Sequence, residues 1–537
     1  MALKNPIMVD GMYCGLFDDL KRQQILTVIN QKRIDNLKNM IFNFPSEMLD
    51  MADDEEISVR NYIKKNNIDY TPYIGELRDY QTVGAGFLYM SPRSILGDGV
   101  GLGKTAEISA LLNMLKQNNE MNRFLMAVET SAVGQTIQEL KRFTGLRIVE
   151  LPSVKDKMAK AIQKIDWSTV DGIVTRHSTL RSDTFSNWLA INIDSTGKFT
   201  LFDTFILDES SLIKNSKTQV YTYTKNICDL VKRVHFLNAT VFETNIMDIY
   251  YQVDMMDSNI LPTKSSIESR FCTWKPKVFW KRQNGSAVQQ RAMERTGYKN
   301  QAEFKKSLKL FYFGRSIKDT GMERNNEYIV YTVDPTQEQL YAIRKGARYS
   351  ELLNCPTLVE GCEIEFTREK CPKLDRLLTL CEQDFHDSSV MIYCMYIEAQ
   401  EKLKEYLEQS GRKVCILNGN TKEEPRKQLI KDFNDGVYDV IITNIKKSLN
   451  LYNGDVCIFY TVEGNPAKME QIRGRIDRNV DNKLKTFVLL LYSHTLEYTL
   501  FTKTASTRSK DSKDLTIDFT SAVDYFMDSM RDDDSSE

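Results

Sequence analysis

Between Ile95-Leu96 and the apolar run that begins at Ala106 lie nine residues whose types suit one task, the holding of a chain of phosphates. Gly97, Gly99, Gly101 and Gly103 let backbone N–H groups wrap an anion, and Lys104-Thr105 open a helix whose N-terminus favours negative charge. In such a loop the lysine reaches the terminal phosphates and the threonine hydroxyl serves a Mg²⁺ ion. The generic glycine-x4-glycine-lysine string fails here, because Asp98 stands five places before Gly103. A glycine-rich turn that merely caps a helix is the competing reading of the same residues. About a hundred residues on, the run Phe205-Ile206-Leu207 ends in Asp208-Glu209. An acidic pair at the carboxyl end of a buried strand can hold a metal ion and polarise a water, whereas in isolation it reads as a solvated loop. The two signals support each other when one lobe carries both.

Strands and helices must alternate to place these groups. Ser94–Leu96, Phe124–Val128, Gly172–Val174, Thr204–Leu207 and Val234–Leu237 are short apolar runs separated by amphipathic stretches, which predicts a parallel sheet covered on both faces. A second series follows at Val390–Tyr393, Val414–Leu417, Val440–Thr443, Val456–Tyr460 and Thr486–Leu491. The fold expected is therefore α/β with two tandem lobes. Their bounds are set at 71–260 and 366–505, after a helical N-terminal region (1–70) whose apolar residues recur at helical spacing from Phe17 to Met40. Residues 261–365 form a basic, aromatic intervening region, and 506–537 an acidic, Ser-rich tail. Positions 270–324 hold fourteen Lys or Arg against four acids, with Trp274, Phe279, Trp280, Tyr298 and Phe304 interleaved. That pattern suits a nucleic-acid surface or, equally, a small core under solvated charges. No strand-splitting hairpin is read in it.

At 537 residues, 42% hydrophobic and 27% charged, the chain is multidomain and globular, and neither collagen-like nor disordered composition fits. Lys plus Arg (72) nearly balances Asp plus Glu (73), so net charge selects no partner. Ten cysteines without a C-x-x-C pair read as buried or free thiols in a reducing compartment. The absence of a leader or a membrane-length apolar run places the expectation in the cytosol, or in a nucleus where the host has one.

Read in order, these residues resemble the Swi/Snf-type ATPases of helicase superfamily two, from Leu77 to about Lys503. Leu77-Arg78-Asp79-Tyr80-Gln81 is similar to the family's adenine-reading segment. Asp98 to Thr105 resembles its D-E-x-G-L-G-K-T loop, which accounts for Asp98. Asp208 to Asn215 resembles D-E-A-H-x-I-K-N, and Asn238-Ala239-Thr240 stands where the family has T-G-T. Further matches are Phe271 after Leu261-Pro262, Thr336-x-x-Gln339-Leu340-Tyr341, Asn418-Gly419-Asn420-Thr421 with Arg426 and Phe433-Asn434, Asn465-Pro466-Ala467, and Gln471-x-x-Gly474-Arg475-x-x-Arg478. Departures are Ser211 for histidine, Asn238 for threonine, Val241 for proline, Lys446-Lys447 in a shortened glycine run, and Asn479-Val480 after the last arginine.

The resemblance implies two RecA-like lobes with helical protrusions between them, ATP as substrate and Mg²⁺ as cofactor. It implies Arg78, Gln81, Gly101, Gly103, Lys104 and Thr105 as the nucleotide cradle, Thr105 and Asp208 on the metal, and Glu209 orienting water. Arg475 and Arg478 would supply the cation facing the γ-phosphate when the lobes close, Arg478 being the finger. It further implies a hinge cycle driven by hydrolysis and a nucleic-acid track formed by Ser131, Gln135, Asn420, Lys446, Lys447 and Asn450. The partner implied is double-stranded DNA, moved along without full strand separation. A strand-separating DNA or RNA helicase shares every ATP residue, and a binding protein with a decayed ATPase is a third possibility that the intact motifs oppose. His177, in a segment resembling a nucleic-acid motif, and His235, in a strand, need no catalytic role.

Overall fold

The computed structural model describes residues 55–194, 199–239, 249–256, 264–283, 286–300, 308, 311–315, 318–321, 325–345, 347–445, 449–463, 466–477, 483–493, 495 and 497. It also describes a two-stranded ladder pairing Met8–Val9 with Met12–Tyr13. The chain divides into two units, residues 1–316 and 317–537. The helix predicted over Phe17 to Met40 and the acidic tail lie outside the described residues.

In the first unit a seven-stranded sheet contains β1 (Arg93–Leu96), β2 (Phe124–Val128), β3 (Ile148–Leu151), β4 (Gly172–Arg176), β5 (Thr204–Asp208) and β6 (Arg233–Leu237). The ribbon strands β7 (Cys272–Gln283) and β8 (Ser286–Tyr298) follow in the chain, and β9 (Tyr312–Phe313) then returns to the sheet. The sheet order is β9-β1-β6-β5-β2-β4-β3, with every pairing parallel. Alternate residues of its strands point to opposite faces. Leu96, Met126, Ile206 and Leu237 join the core formed with Phe87, Ile108, Leu111 and Leu112, while Ile95, Leu125, Phe205 and Phe236 are buried on the other side. Helix α1 (Glu55–Lys65) packs on α2 (Asp79–Met90), which packs on α3 (Lys104–Gln117), and α4 (Val133–Thr144) follows β2.

The second unit repeats this logic in six parallel strands: β10 (Asn326–Val333), β11 (Val390–Tyr393), β12 (Val414–Leu417), β13 (Val440–Thr443), β14 (Val456–Phe459) and β15 (Lys485–Tyr492). Their order is β10-β15-β14-β11-β13-β12. Val390, Ile392, Ile442, Ile458, Val488 and Leu490 face one apolar cluster, and Met391, Tyr393, Ile441, Phe459, Leu489 and Leu491 face another. Near-continuous Val/Ile/Leu runs are what a sheet buried on both faces requires. All nine described cysteines are free, and eight of them are buried.

The segment between the predicted lobes differs from its expectation. Helical protrusions were expected across 270–324. Within 272–298 the structure has an antiparallel ribbon instead, entered from the helix Lys264–Phe271, in which β7 pairs with β8 from Cys272↔Tyr298 to Gln283↔Ser286; Leu308 is helical, and the rest of 301–310 lies outside the described residues. The physical reason lies in the residues: Trp274, Pro276 and Val278 alternate with Lys275 and Lys277, a period of two that no helix uses. Nor does 261–365 stand as a body of its own, since β9 closes the first sheet and β10 opens the second.

Candidate nucleotide site

The loop after β1 is held open by its own backbone. Gly101 and Gly103 have φ of +84° and +86°, left-handed values that a side chain would strain, and Gly103 is the N-cap of α3. A Cβ at Gly103 would also come within 2.5 Å of Gln81 Nε2. No side chain caps α3, so its first N–H groups face the loop, an arrangement that fits a phosphate chain. Lys104 Nζ donates to the Asp98 and Gly99 carbonyls at 2.7 and 3.3 Å, which keeps its charge over the loop.

Helix α2 clamps this loop from the other side. Gln81 accepts from the Arg78 N–H at 3.0 Å and donates through Nε2 to the Leu102 carbonyl at 3.0 Å. Tyr80 donates its hydroxyl to the same carbonyl at 2.9 Å. Arg78, the N-cap of α2, donates to the Tyr80 hydroxyl at 3.4 Å. Gln81 thus fixes the loop whether or not it also reads a base.

The acidic pair lies at the same sheet edge. Leu96 and Asp208 both stand opposite Leu237 in register, so the end of β1 and Asp208 are level across three strands. At about 4.8 Å per strand that is a separation of roughly 10 Å between backbones. Glu209 follows with φ of +52°, uncommon for a residue with a side chain and of a kind that gathers at reacting sites. Asp208 accepts from the Glu209 N–H at 3.0 Å, and the His177 ring lies 2.9 Å from the Asp208 carbonyl, a structural contact. Ser211, at the position of the family's histidine, is buried, and Ser210 donates to Gln252 at 2.6 Å. Asn238 donates its N–H to the Leu96 carbonyl at 3.1 Å and so sits between the loop and the acids.

Two residues that the sequence reading passed over brace the loop from behind. Arg315 donates to Asp98 at 2.5 Å through Nη2 and 3.2 Å through Nε, to Glu107 of α3 at 2.7 Å, and to the Tyr80 carbonyl. Its guanidinium also lies over the Tyr80 and Phe313 rings at 5.4 and 4.8 Å. Asp98 and Glu107 are fully buried. Burial, then the Asp98 charge, pushes the Glu107 carboxyl well above the ordinary glutamate value, against the pull of Arg315. Two carboxyls and one guanidinium in a dry space reach neutrality only if one carboxyl keeps its proton. Gly84 leaves the room they need, for a Cβ there would lie 2.1 Å from Glu107 Oε1. Alongside, Gly97 and Gly99 donate to the Phe313 and Arg315 carbonyls at 2.7 and 2.9 Å, extending the β9 pairing into the phosphate loop.

The residues expected along a polymer track follow the carboxyl ends of strands in each sheet. Ser131 and Gln135 come after β2 and are half-buried, Gln135 donating to Glu139 at 2.7 Å. Asn420 is exposed after β12, its N–H held by Asn418 at 3.0 Å. Asn450 comes after the neighbouring β13, its carbonyl accepting from Asn434 at 2.9 Å. Lys446, Lys447 and Arg478 lie outside the described residues. Arg475 is buried within its own unit and donates to the Gln471 and Leu449 carbonyls at 2.7 and 3.2 Å, binding the end of the helix Pro466–Arg473 to the loop residues 449–451.

Comparison with known proteins matches the SNF2-related domain family over residues 80–347 and the helicase conserved C-terminal domain over 369–480. An uncharacterized ATP-dependent helicase, YqhH, of Bacillus subtilis is 22% identical over 453 residues, covering 76% of this chain and 73% of its own. The human SWI/SNF-related matrix-associated actin-dependent regulator of chromatin subfamily A member 1 is 24% identical over 464 residues, covering 79% of this chain and 42% of its own. The chain therefore spans less than half of that human relative. Among solved structures, the Sulfolobus solfataricus SWI2/SNF2 ATPase core in complex with dsDNA is 18% identical, covers 85% of this chain and 95% of its own, and has a TM-score of 0.39. With the phosphate loop, the acid pair at its sheet edge and both family domains in order, the chain belongs to the Swi/Snf-type ATPases of helicase superfamily two and is an ATP-hydrolysing enzyme.

Proposed function

We propose that the chain is an ATP-driven translocase on double-stranded DNA that remodels DNA junctions or protein–DNA complexes. One observation carries the motor part of this reading: Leu96 and Asp208 stand level beside Leu237, so the loop that suits phosphates and the acids that suit a metal and a water share one edge. On this reading Lys104 neutralises the terminal phosphates, and Gly101 and Gly103 turn the loop backbone toward them. Thr105 and Asp208 would hold Mg²⁺, which would offset charge on the phosphates, and Glu209 orients the attacking water. Arg78 and Gln81 border the base. Arg478 supplies further positive charge in the transition state, whereas the buried Arg475 acts as a positioning residue.

Duplex tracking rests on the Swi/Snf-type pattern, Ile213-Lys214-Asn215 included, and on Ser131, Gln135, Asn420, Asn450, Lys446 and Lys447 as backbone contacts. A strand-separating helicase is the second reading, and the long antiparallel ribbon of β7 and β8 is the observation in its favour.

The deciding experiment measures ATPase rate without nucleic acid and with single-stranded, blunt duplex and forked DNA, and with RNA. Blunt duplex should stimulate most, nearly independently of sequence, with the effect falling steeply as salt rises. A triplex-displacement assay on blunt duplex should show movement that the Glu209→Gln enzyme lacks. Stimulation by single-stranded DNA or RNA alone would replace the translocase with the helicase.

A further inference from the structure

The β7–β8 ribbon belongs to neither sheet, and its described side chains sort by face. Register puts Val278 opposite Arg291 and Pro276 opposite Met293, so Trp274, Pro276, Val278, Arg291 and Met293 share one face, while Lys275, Lys277 and Ala292 share the other. They are all open to solvent: Trp274 is 38% exposed, Val278 49% and Met293 58%. A two-stranded ribbon is marginally stable in water by itself, and a row of exposed apolar residues along one makes it less so. Its sequence contains six Lys or Arg and one acid, a balance that repels a second copy of the same ribbon and attracts a polyanion.

Its dimensions fit the same partner. Twelve residues at about 3.4 Å each extend roughly 40 Å, about one turn of duplex. Two strands about 4.8 Å apart enter a major groove roughly 12 Å wide. We infer that the ribbon Cys272–Tyr298 is an arm that grips double-stranded DNA. Lys275, Lys277 and Arg291 neutralise backbone phosphates, and the row from Trp274 to Met293 covers apolar edges of the groove. This inference rests on the duplex reading above and adds to it a contact that lies outside the two parallel sheets.

The test compares the full-length protein with a Lys275→Ala/Lys277→Ala/Arg291→Ala variant and, separately, Trp274→Ala. Binding to a labelled blunt duplex is followed by fluorescence anisotropy across a salt series. DNA-free ATPase serves as the control for folding, since none of these residues belongs to the nucleotide site. The triple variant should bind about tenfold more weakly at moderate salt, and its log–log salt slope should be shallower by about 2 to 3, one contact's worth for each lost cation. A Lys275→Arg/Lys277→Arg variant that keeps Arg291 should retain both the parental affinity and the parental slope. Trp274→Ala should weaken binding with the slope unchanged. If the unaltered protein binds duplex and the triple variant matches it in affinity and slope, the arm is refuted while the translocase stands. Loss of forked-DNA unwinding with duplex affinity intact overturns the arm in favour of a strand-splitting wedge. Failure of the unaltered protein to bind any duplex overturns the parent reading as well.

Discussion

Arg315 and Asp98 meet at 2.5 Å in a space almost without solvent, although 217 positions separate them in the chain. The pair ties the phosphate loop to the last segment of its own sheet. Removing only the cation leaves a buried carboxylate without a counter-charge, which costs about 3–5 kcal/mol. Arg315→Met should therefore lower the unfolding free energy of the first unit by that order. With Asp98→Asn added, the two losses should fall well short of their sum, as a double-mutant cycle in urea would show. Additivity within about 0.5 kcal/mol would mean that the two do not act together.

Glu107 gives the site a pH signature. In the unfolded chain its carboxyl loses its proton above the ordinary value of 4.5, and in the fold burial and Asp98 keep the proton on to well above that value. The folded state thus binds more protons in that window, so the stability from Glu107 is full below the unfolded value and is lost as pH rises. Glu107→Gln, which copies the protonated form, should melt higher than the parent, by a margin that widens as pH rises above the ordinary glutamate value of 4.5. A margin that narrows instead would mean that Glu107 is ionised in the fold.

Lys104→Ala should abolish hydrolysis, because the terminal phosphates lose their cation. Glu209→Gln should bind a fluorescent ATP analogue normally and slow turnover by about 10²–10⁴, the range for a positioned acid–base group. Normal steady-state hydrolysis by either purified variant would sink the assignment.

Arg478→Ala should reduce turnover by a large factor, up to roughly 10³–10⁵, with a much smaller change in ATP affinity. Equal losses in binding and turnover would assign the arginine to the ground state.

Charge reversal at Lys446 and Lys447 should raise the DNA concentration for half-maximal stimulation and leave DNA-free hydrolysis nearly intact. A fall in the DNA-free rate would place these lysines near the nucleotide.

The phosphate loop, the acid pair and ten of the strands were legible because each is a local pattern: glycines before Lys104, Asp208-Glu209 after an apolar run, Val/Ile runs of buried parallel strands. Ile148–Leu151 was missed, being four residues that include Glu150. The ribbon was legible in principle. Asn284-Gly285 separates Gln283 from Ser286, the dipeptide that two-residue hairpin turns prefer, and alternation precedes it. The ribbon's charge and aromatic content obscure that period, because basic and aromatic residues are spread over both strands. Arg315 was beyond reach, since its partners Asp98 and Glu107 lie 217 and 208 positions away and only the folded sheet brings them together.

That last relationship bears on how the protein is made. The strand that completes the first sheet leaves the ribosome only after β1 to β6 and the whole ribbon. Until then Asp98 and Glu107 have no guanidinium to join, and Gly97 and Gly99 have no carbonyls of the 313–315 segment to bond. A nascent chain that ends before Arg315 thus carries every phosphate-binding residue of the loop without the brace that shapes it. Synthesis must run past the ribbon before the nucleotide site can mature.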